Sequence, residues 1–308
     1  MEDLNMESKK TDYESTLKSR DTEETLDIWF NRPIGFKWAL LCKKLGIRPN
    51  PVTIVSIILG VASGYFFLYS DLKMNIIGMF LLILANTLDS ADGQLARMTN
   101  QQSRLGRVLD GLAGNLWFIS IYFFISLRLI NEGYPVSIFI LAAITGFFHS
   151  FQAAMADYYR NAHLFFIKGK EGSEFDNSVK VRNEFNQISW TKNFWNKLWL
   201  RIYLNYTSQQ EILSKNLQKL MKLIHEKYKG IVPEWLAIEF RQLNKPLMKY
   251  TNMLTFNTRA IALFVAMFLD NVLLYWIFEL TVLNVMLIYM VVRQEIISKN
   301  MYRKAVNK

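Results

Sequence analysis

The chain has 308 residues, of which 51% are hydrophobic and 22 are phenylalanine, and it carries a formal net charge of +10. With several runs of roughly 16–20 residues free of charge, this composition indicates an integral membrane protein. It excludes nucleic acid as the reason for the charge, since no zinc spacing, RNA-binding signature or DNA-reading helix motif is present and the basic residues crowd the segments between apolar runs. The charge reads instead as membrane topology and contact with anionic lipid. A single cysteine, Cys42, excludes an internal disulfide, and the three histidines (His149, His163, His225) are too scattered for a histidine-based metal site. The N-terminus is polar and lacks the apolar core and cleavage site of a signal peptide.

In chain order, residues 1–24 are polar and mixed in charge and read as a mobile tail. Residues 25–48 are amphipathic, with Trp29, Phe30, Ile34, Phe36, Trp38, Leu41 and Leu45 set among Arg32, Lys37, Lys43 and Lys44. Two readings stand: a helix lying in the membrane interface, or a helix packed on the rest of the protein. Pro49-Asn50-Pro51-Val52-Thr53 then breaks that helix and opens the next. Residues 49–160 hold four predicted spans, at about 51–69, 74–91, 106–129 and 135–157. Gly60 and Gly64, four apart on one face of the first span, invite close approach of a neighbour. Residues 161–250 are too polar to span and too apolar to be disordered, and read as a cytoplasmic helical insertion on the membrane surface, with Trp190, Trp195 and Trp199 as candidate anchors. Residues 251–294 hold two further spans, at about 255–269 and 272–292, before a basic tail over 295–308. The expected fold is thus all-α, a six-span membrane bundle. Lys and Arg are abundant in the segments assigned to the cytoplasm and rare in the outer turns, which places both termini inside.

The chemistry concentrates between Asp89 and Asn115. Asp89 and Asp92 share one face at the inner end of the second span, and Asp110 lies about one turn into the third. All three carboxylates can converge where these helices meet, and without histidine or cysteine they point to a hard divalent cation such as Mg2+, Mn2+ or Ca2+. Such a cation neutralises a pyrophosphate, and the planar guanidinium of Arg97 matches phosphate oxygens. Gly93 and Gly106 leave room for a nucleotide or a neighbouring backbone, or are ordinary packing glycines.

The spacing Asp89, Asp92, Gly93, Ala96, Arg97, Gly106, Asp110 resembles the signature of the CDP-alcohol phosphotransferase family, D-x2-D-G-x2-A-R-x8-G-x3-D-x3-D. Asn50 and Thr53 at the entry to the first span also look like this family. The resemblance implies a six-span enzyme that cuts the pyrophosphate of a CDP-linked alcohol, releases CMP and transfers the phosphoalcohol to a second alcohol. It implies Mg2+ or Mn2+ held by Asp89, Asp92 and Asp110, and a nucleotide site of Asn50, Thr53, Asp89, Gly93, Ala96, Arg97 and Gly106. The expected donor is CDP-diacylglycerol in the bilayer and the expected acceptor a polar alcohol, such as inositol phosphate or glycerol phosphate. Arg104, Arg107, Arg160 and Arg259 are candidate acceptor-binding cations; for Arg259, snorkelling to headgroups is the alternative. Transfer from CDP-choline or CDP-ethanolamine to diacylglycerol is the second enzymatic reading, and a homodimer with a cytoplasmic active site is the expected assembly.

Where the family pattern has its last aspartate, the proposed general base, this chain has Gly114. Three explanations stand. Asp157, or His149 two turns before it, takes the proton; Asp110 with water on the metal suffices at a lower rate, the loss of a general base costing roughly 10²- to 10⁴-fold; or the chain is a silent relative that binds lipid or CDP-lipid.

Overall fold

The computed structural model describes residues 13–14, 16–17, 19–169, 178–190 and 193–308. Among them every regular element is helical. A π-helical turn over Asp27–Asn31 runs into α1 (Arg32–Lys44), followed by α2 (Pro49–Phe66), α3 (Leu72–Thr99), α4 (Arg104–Asn131) and α5 (Ile138–Lys168). Then come α6 (Ser178–Gln187), α7 (Phe194–Ile212), α8 (Lys215–Lys227), α9 (Glu234–Met253), α10 (Phe256–Phe268) and α11 (Leu273–Phe278), and a second π-helical turn, Glu279–Leu283, leads into α12 (Asn284–Asn307).

Among the described residues, five helical stretches are long and apolar enough to cross a membrane: Pro49–Phe66, Leu72–Thr99, Leu109–Asn131, Ile138–Lys168 and Leu273–Asn307. The protein is a polytopic helical membrane protein. The span expected at 255–269 differs, because α10 has only 13 residues. At ~1.5 Å per residue it extends about 20 Å, short of the roughly 30 Å hydrocarbon core.

The chain divides into two compact units, the first comprising Met1–Phe147 and Arg259–Phe278. Proline at the first turn starts α2, and the Asp71 side chain caps α3 by accepting from the Lys73 amide at 3.1 Å. The helices of this unit meet closely because small residues line their contacts. A Cβ at Gly60 would collide with the Trp117 ring, and one at Gly64 would stand 2.8 and 2.9 Å from the Ser120 carbonyl carbon and the Ile121 amide nitrogen. The Gly60/Gly64 stripe is therefore the seat of α4 on α2. On the other side of α3, a Cβ at Gly35 would meet Ser90 Oγ at 2.9 Å, and Ala39 and Cys42 of α1 join Leu88, Ala91 and Leu95 in one apolar core. So the π-helical turn and α1 pack on the protein through Asn31 and through Gly35, Ala39 and Cys42, while Trp29 and Leu45 remain exposed.

Arg128 and Arg259 are both enclosed in this unit. Arg128, 1% exposed, bonds Glu132 Oε1 at 2.9 Å, the Tyr69 carbonyl at 3.2 Å and Asp270 Oδ1 at 2.6 Å. It thereby ties together the turns that follow α2, α4 and α10, and satisfies a guanidinium that would otherwise be costly to bury.

The second unit comprises Phe148–Thr258 and Glu279–Lys308. Here α12 packs against α8 and α9, which bury Leu217, Leu220, Ile224, Leu236 and Phe240. Glu295 of α12 accepts from the Asn216 and Leu217 amides at 2.7 and 3.2 Å, placing a carboxylate at the positive N-terminal end of α8. Phe166 stacks on Phe240 with ring centroids 3.6 Å apart. The insertion is thus built of packed helices, and Trp190 and Trp195 remain exposed on it.

The α2–α4 seat yields a direct test. Gly64→Ala should lower the thermal midpoint of the detergent-solubilised protein at a cost of roughly 1–3 kcal/mol, because backbone opposes the added methyl. Gly111→Ala, where nothing lies within 4 Å, should raise it.

Candidate active site

The first half of the motif is helical to its end, because α3 continues through Thr99. Asp89, Asp92, Gly93, Ala96 and Arg97 therefore stand at i, i+3, i+4, i+7 and i+8, on one face. Asn100 then adopts the left-handed conformation at φ 53° and turns the chain. Ser103 caps α4 by accepting from the Gly106 amide at 3.0 Å. Gly106, Asp110 and Gly114 follow at i, i+4 and i+8, so the second half is again one helical face.

These two faces meet the entry of α2. Asp92, 4% exposed, is bonded by the Thr53 hydroxyl and the Gly93 amide and lies within electrostatic reach of Asp110 and Arg97. Thr53 is itself buried, and its hydroxyl oxygen also lies 3.3 Å from the Pro49 carbonyl oxygen. A Cβ at Gly106 would stand 3.2 Å from Asn50 Oδ1, which places the Asn50 side chain beside the start of α4. Arg97 lies across Gly93: its Nη1 and Nη2 are 3.5 and 3.6 Å from where a Cβ would be. The structure thus brings together Asn50, Thr53, Asp92, Gly93, Arg97, Gly106 and Asp110.

Asp92 Oδ2 is buried and makes no hydrogen bond. A carboxylate out of water, one oxygen unserved and a second acid within reach, suits a hard cation. Among the described residues, no three His, Cys, Asp or Glu side chains converge closely enough to hold a metal ion; Asp110 is exposed and Asp89 half-buried.

Other candidates are placed as follows. Arg104 and Arg107 lie in the first turn of α4, their side chains outside the described residues. Arg259 is 1% exposed, so it is packed within protein rather than extended toward headgroups. Asp157 and Arg160 belong to the second unit. Asp157 Oδ2 accepts from Tyr206 at 3.0 Å and Gln210 at 3.3 Å, which anchors α7. His149 Nδ1 lies 4.0 Å from Glu279, in a buried cluster where Gln152 bonds Asn284 at 2.8 Å.

Gly114 is half-buried, and a Cβ there would meet nothing within 4 Å. Steric crowding is therefore not the reason for glycine. Asn115 is committed locally, donating to the Gly111 carbonyl at 3.0 Å.

Sequence reasoning missed the contribution of the N-terminal residues. Arg32, grouped there with headgroup-facing cations, is ion-paired to Glu23 at 3.0 Å, and its Nη1 is 3.5 Å from Ser90 Oγ, inside the motif. Burial opposes its charge, but Glu23 and Asp27 outweigh that penalty and raise its pKa above the ordinary arginine value, with Asp110 adding to the effect. The Arg32 carbonyl accepts from Gln94 at 3.0 Å. The available signal was the uneven spacing of cations in residues 25–48, where Arg32 alone falls on the buried side.

The profile of the family described as CDP-alcohol phosphatidyltransferase matches residues 47–164. The archaetidylinositol phosphate synthase of Pyrococcus horikoshii is 36% identical over 83 residues, which is 27% of this chain and 43% of that protein. The chain therefore matches less than half the length of this curated relative. The matched region contains the α2 entry, both helical faces of the motif and the residues gathered around Asp92. Residues 47–164 of this membrane protein are a CDP-alcohol phosphatidyltransferase domain.

Proposed function

We propose that the protein transfers a phosphatidyl group from CDP-diacylglycerol to a polar, phosphorylated alcohol and releases CMP. The acceptor hydroxyl attacks the phosphorus that bears the lipid, the bond from that phosphorus to the bridging pyrophosphate oxygen breaks, and CMP leaves with the electron pair. The observation that carries the reading is the buried, half-satisfied carboxylate of Asp92, held by Thr53 and Gly93 within reach of Asp110 and Arg97. Arg97 binds the diphosphate through its guanidinium, and Asn50 and Gly106 shape the nucleotide side. Asp89, Asp92 and Asp110 are the residues that would hold Mg2+ or Mn2+, which would supply charge neutralisation at the diphosphate and the leaving group. The relative named for archaetidylinositol phosphate synthesis supports an inositol phosphate as acceptor. The hydroxyl proton passes to a carboxylate, for which Asp110 is the candidate within this unit, and the active site faces the cytoplasm.

A second reading is favoured by Gly114: a silent relative that binds CDP-lipid without turning it over. Incubating the purified protein with CDP-diacylglycerol, Mn2+ and a panel of alcohols should yield CMP and a new lipid, with inositol phosphate the best acceptor. EDTA should abolish the reaction, as should Asp89→Ala or Asp92→Ala; activity retained in either variant sinks the metal assignment. Since Gly114 has open space around it, Gly114→Asp should raise turnover by roughly 10²-fold or more. Turnover in that variant alone, with none in the unaltered chain, establishes the silent reading. Asp92→Asn should lose Mn2+ affinity while leaving the thermal midpoint of the metal-free protein unchanged or higher, since a buried acid beside a second acid is replaced by a neutral amide. Calorimetry with and without Mn2+ measures both effects.

A further inference from the structure

The hairpin of α6 and α7 presents aromatic rings outward at its tip. Its inner side is an apolar core, in which Val181, Leu200 and Leu204 are buried against Phe185, Ile188 and Tyr203. Beyond that core, Trp190 is 43% exposed, Phe194 51% and Trp195 68%. Trp199, the third tryptophan expected as an anchor, is half-buried, and Phe194 completes the exposed set in its place. The rings form one ridge. Phe185 meets Trp190 with centroids 6.0 Å apart, Trp190 meets Phe194 at 5.9 Å, and Phe194 meets Trp195 at 5.5 Å.

A buried cation holds this ridge from beneath. Lys197 donates to the Ile188 carbonyl at 2.6 Å, just past the end of α6, and its Nζ lies 4.6 Å from the Phe185 centroid and 5.3 Å from that of Trp190. Large rings fixed outward in this way bury their area only when something covers them. The surrounding charge says what the cover is. Residues 178–201 contain five Lys or Arg and one acid, Glu184, and Arg182 and Arg201 are exposed. Tryptophan beside lysine and arginine suits the boundary between headgroups and acyl chains, where an indole is half in hydrocarbon and cations meet anionic headgroups. The bilayer is also within reach. The far end of α7 is bonded to α5, a helix long and apolar enough to cross a membrane: Ser150 donates to Gln209 at 3.2 Å, and Tyr206 to Asp157 at 3.0 Å. Asp157 is the first Asp, Glu, Lys or Arg of α5, so this contact stands where the apolar part of that span ends. From Tyr206 back to Trp195 is about 16 Å of helix, which keeps the tip close to the membrane surface.

We propose that the ridge of Trp190, Phe194 and Trp195 is an interfacial membrane anchor: the hairpin lies along the bilayer with these rings between headgroups and acyl chains, and with Arg182 and Arg201 at anionic headgroups. The anchor ties the tip of the insertion to the surface from which α5 emerges. It uses no residue of the motif and stands apart from the reaction proposed above. A second copy of this chain on the ridge, or water alone, would leave the rings out of contact with lipid.

The test uses the full chain in phosphatidylcholine nanodiscs, with lipids brominated near the headgroup or deep in the acyl chain as fluorescence quenchers. The emission removed by Trp195→Phe, taken as the difference from the unaltered chain, reports on this indole, and so conservative a change at an exposed position spares the fold. That component should be quenched at least about twofold more by the shallow bromines than by the deep ones. Replacing about a third of the lipid with phosphatidylglycerol should increase the shallow quenching, and Arg182→Gln combined with Arg201→Gln should remove the increase. A Trp195 component that the bromines leave unchanged overturns the proposal: quenching by aqueous iodide then shows the ridge standing in water, and resistance to both quenchers shows it covered by protein. Stronger quenching by the deep bromines overturns it too, because the ring then lies inside the hydrocarbon layer and not at its boundary. An absent increase with phosphatidylglycerol, or one that survives the double replacement, overturns the headgroup role of the two arginines.

Discussion

The structure around the motif depends on keeping the Asp92 carboxylate out of water. An ionised carboxylate loses several kcal/mol of hydration on burial, and neither the Thr53 hydroxyl nor the Gly93 amide serves its second oxygen. Such a group persists only on a rigid support. That support is α3, clamped on one side by α1 through Gly35, Ala39 and Cys42 and packed on the other against α2, which is itself seated on α4 through Gly60 and Gly64. Close helix approach, made possible by glycine, fixes the backbone, and the fixed backbone allows an unsatisfied carboxyl oxygen to be retained. The same close approach brings the start of α2 to the start of α4, where Asn50 backs Gly106.

The parts of this arrangement that were legible in the sequence are those with a helical period. Asp89 to Arg97 and Gly106 to Gly114 each repeat at three and four residues, so the sharing of a face follows from spacing alone. The α2–α4 contact was legible for the same reason, from Gly60 and Gly64. The bond from Arg97 Nε to Thr16 was not, because its acceptor is a main-chain carbonyl, a group every residue possesses, in a stretch whose polar composition resembles a free tail. Nor did composition distinguish Arg32 from the lysines around it; only the close seat of α1 on Ser90 and Ala91, set by Gly35, turns that guanidinium inward. The fifth expected span, 255–269, is a helix within one residue of those bounds, but its 13 residues are fewer than a membrane crossing needs.

Arg128 and Arg32 illustrate two uses of a buried guanidinium in one unit. Arg128 has its donors spent on Glu132, Asp270 and the Tyr69 carbonyl, all in turns, and serves to lock loop geometry. Arg32 holds Glu23 of the N-terminal segment on one side and faces Ser90 of the motif on the other. The first joins elements remote from the motif in sequence; the second couples the chain's beginning to its chemistry. Neither arginine belongs to the seven matched motif positions, and signature matching alone would pass over both.

The length of α3 has a further consequence. Its 28 residues extend about 42 Å, beyond the roughly 30 Å of a bilayer's hydrocarbon layer. The apolar part begins at Leu72 and ends near Ala91, so the final turns, with Asp92 and Arg97, stand at the level of lipid headgroups. A diphosphate carried on two acyl chains is held at that same level by its own hydrophobic anchor. For the donor proposed above, the meeting of site and lipid is set by two lengths, one of helix and one of acyl chain, and becomes sensitive to bilayer thickness without any contact having changed.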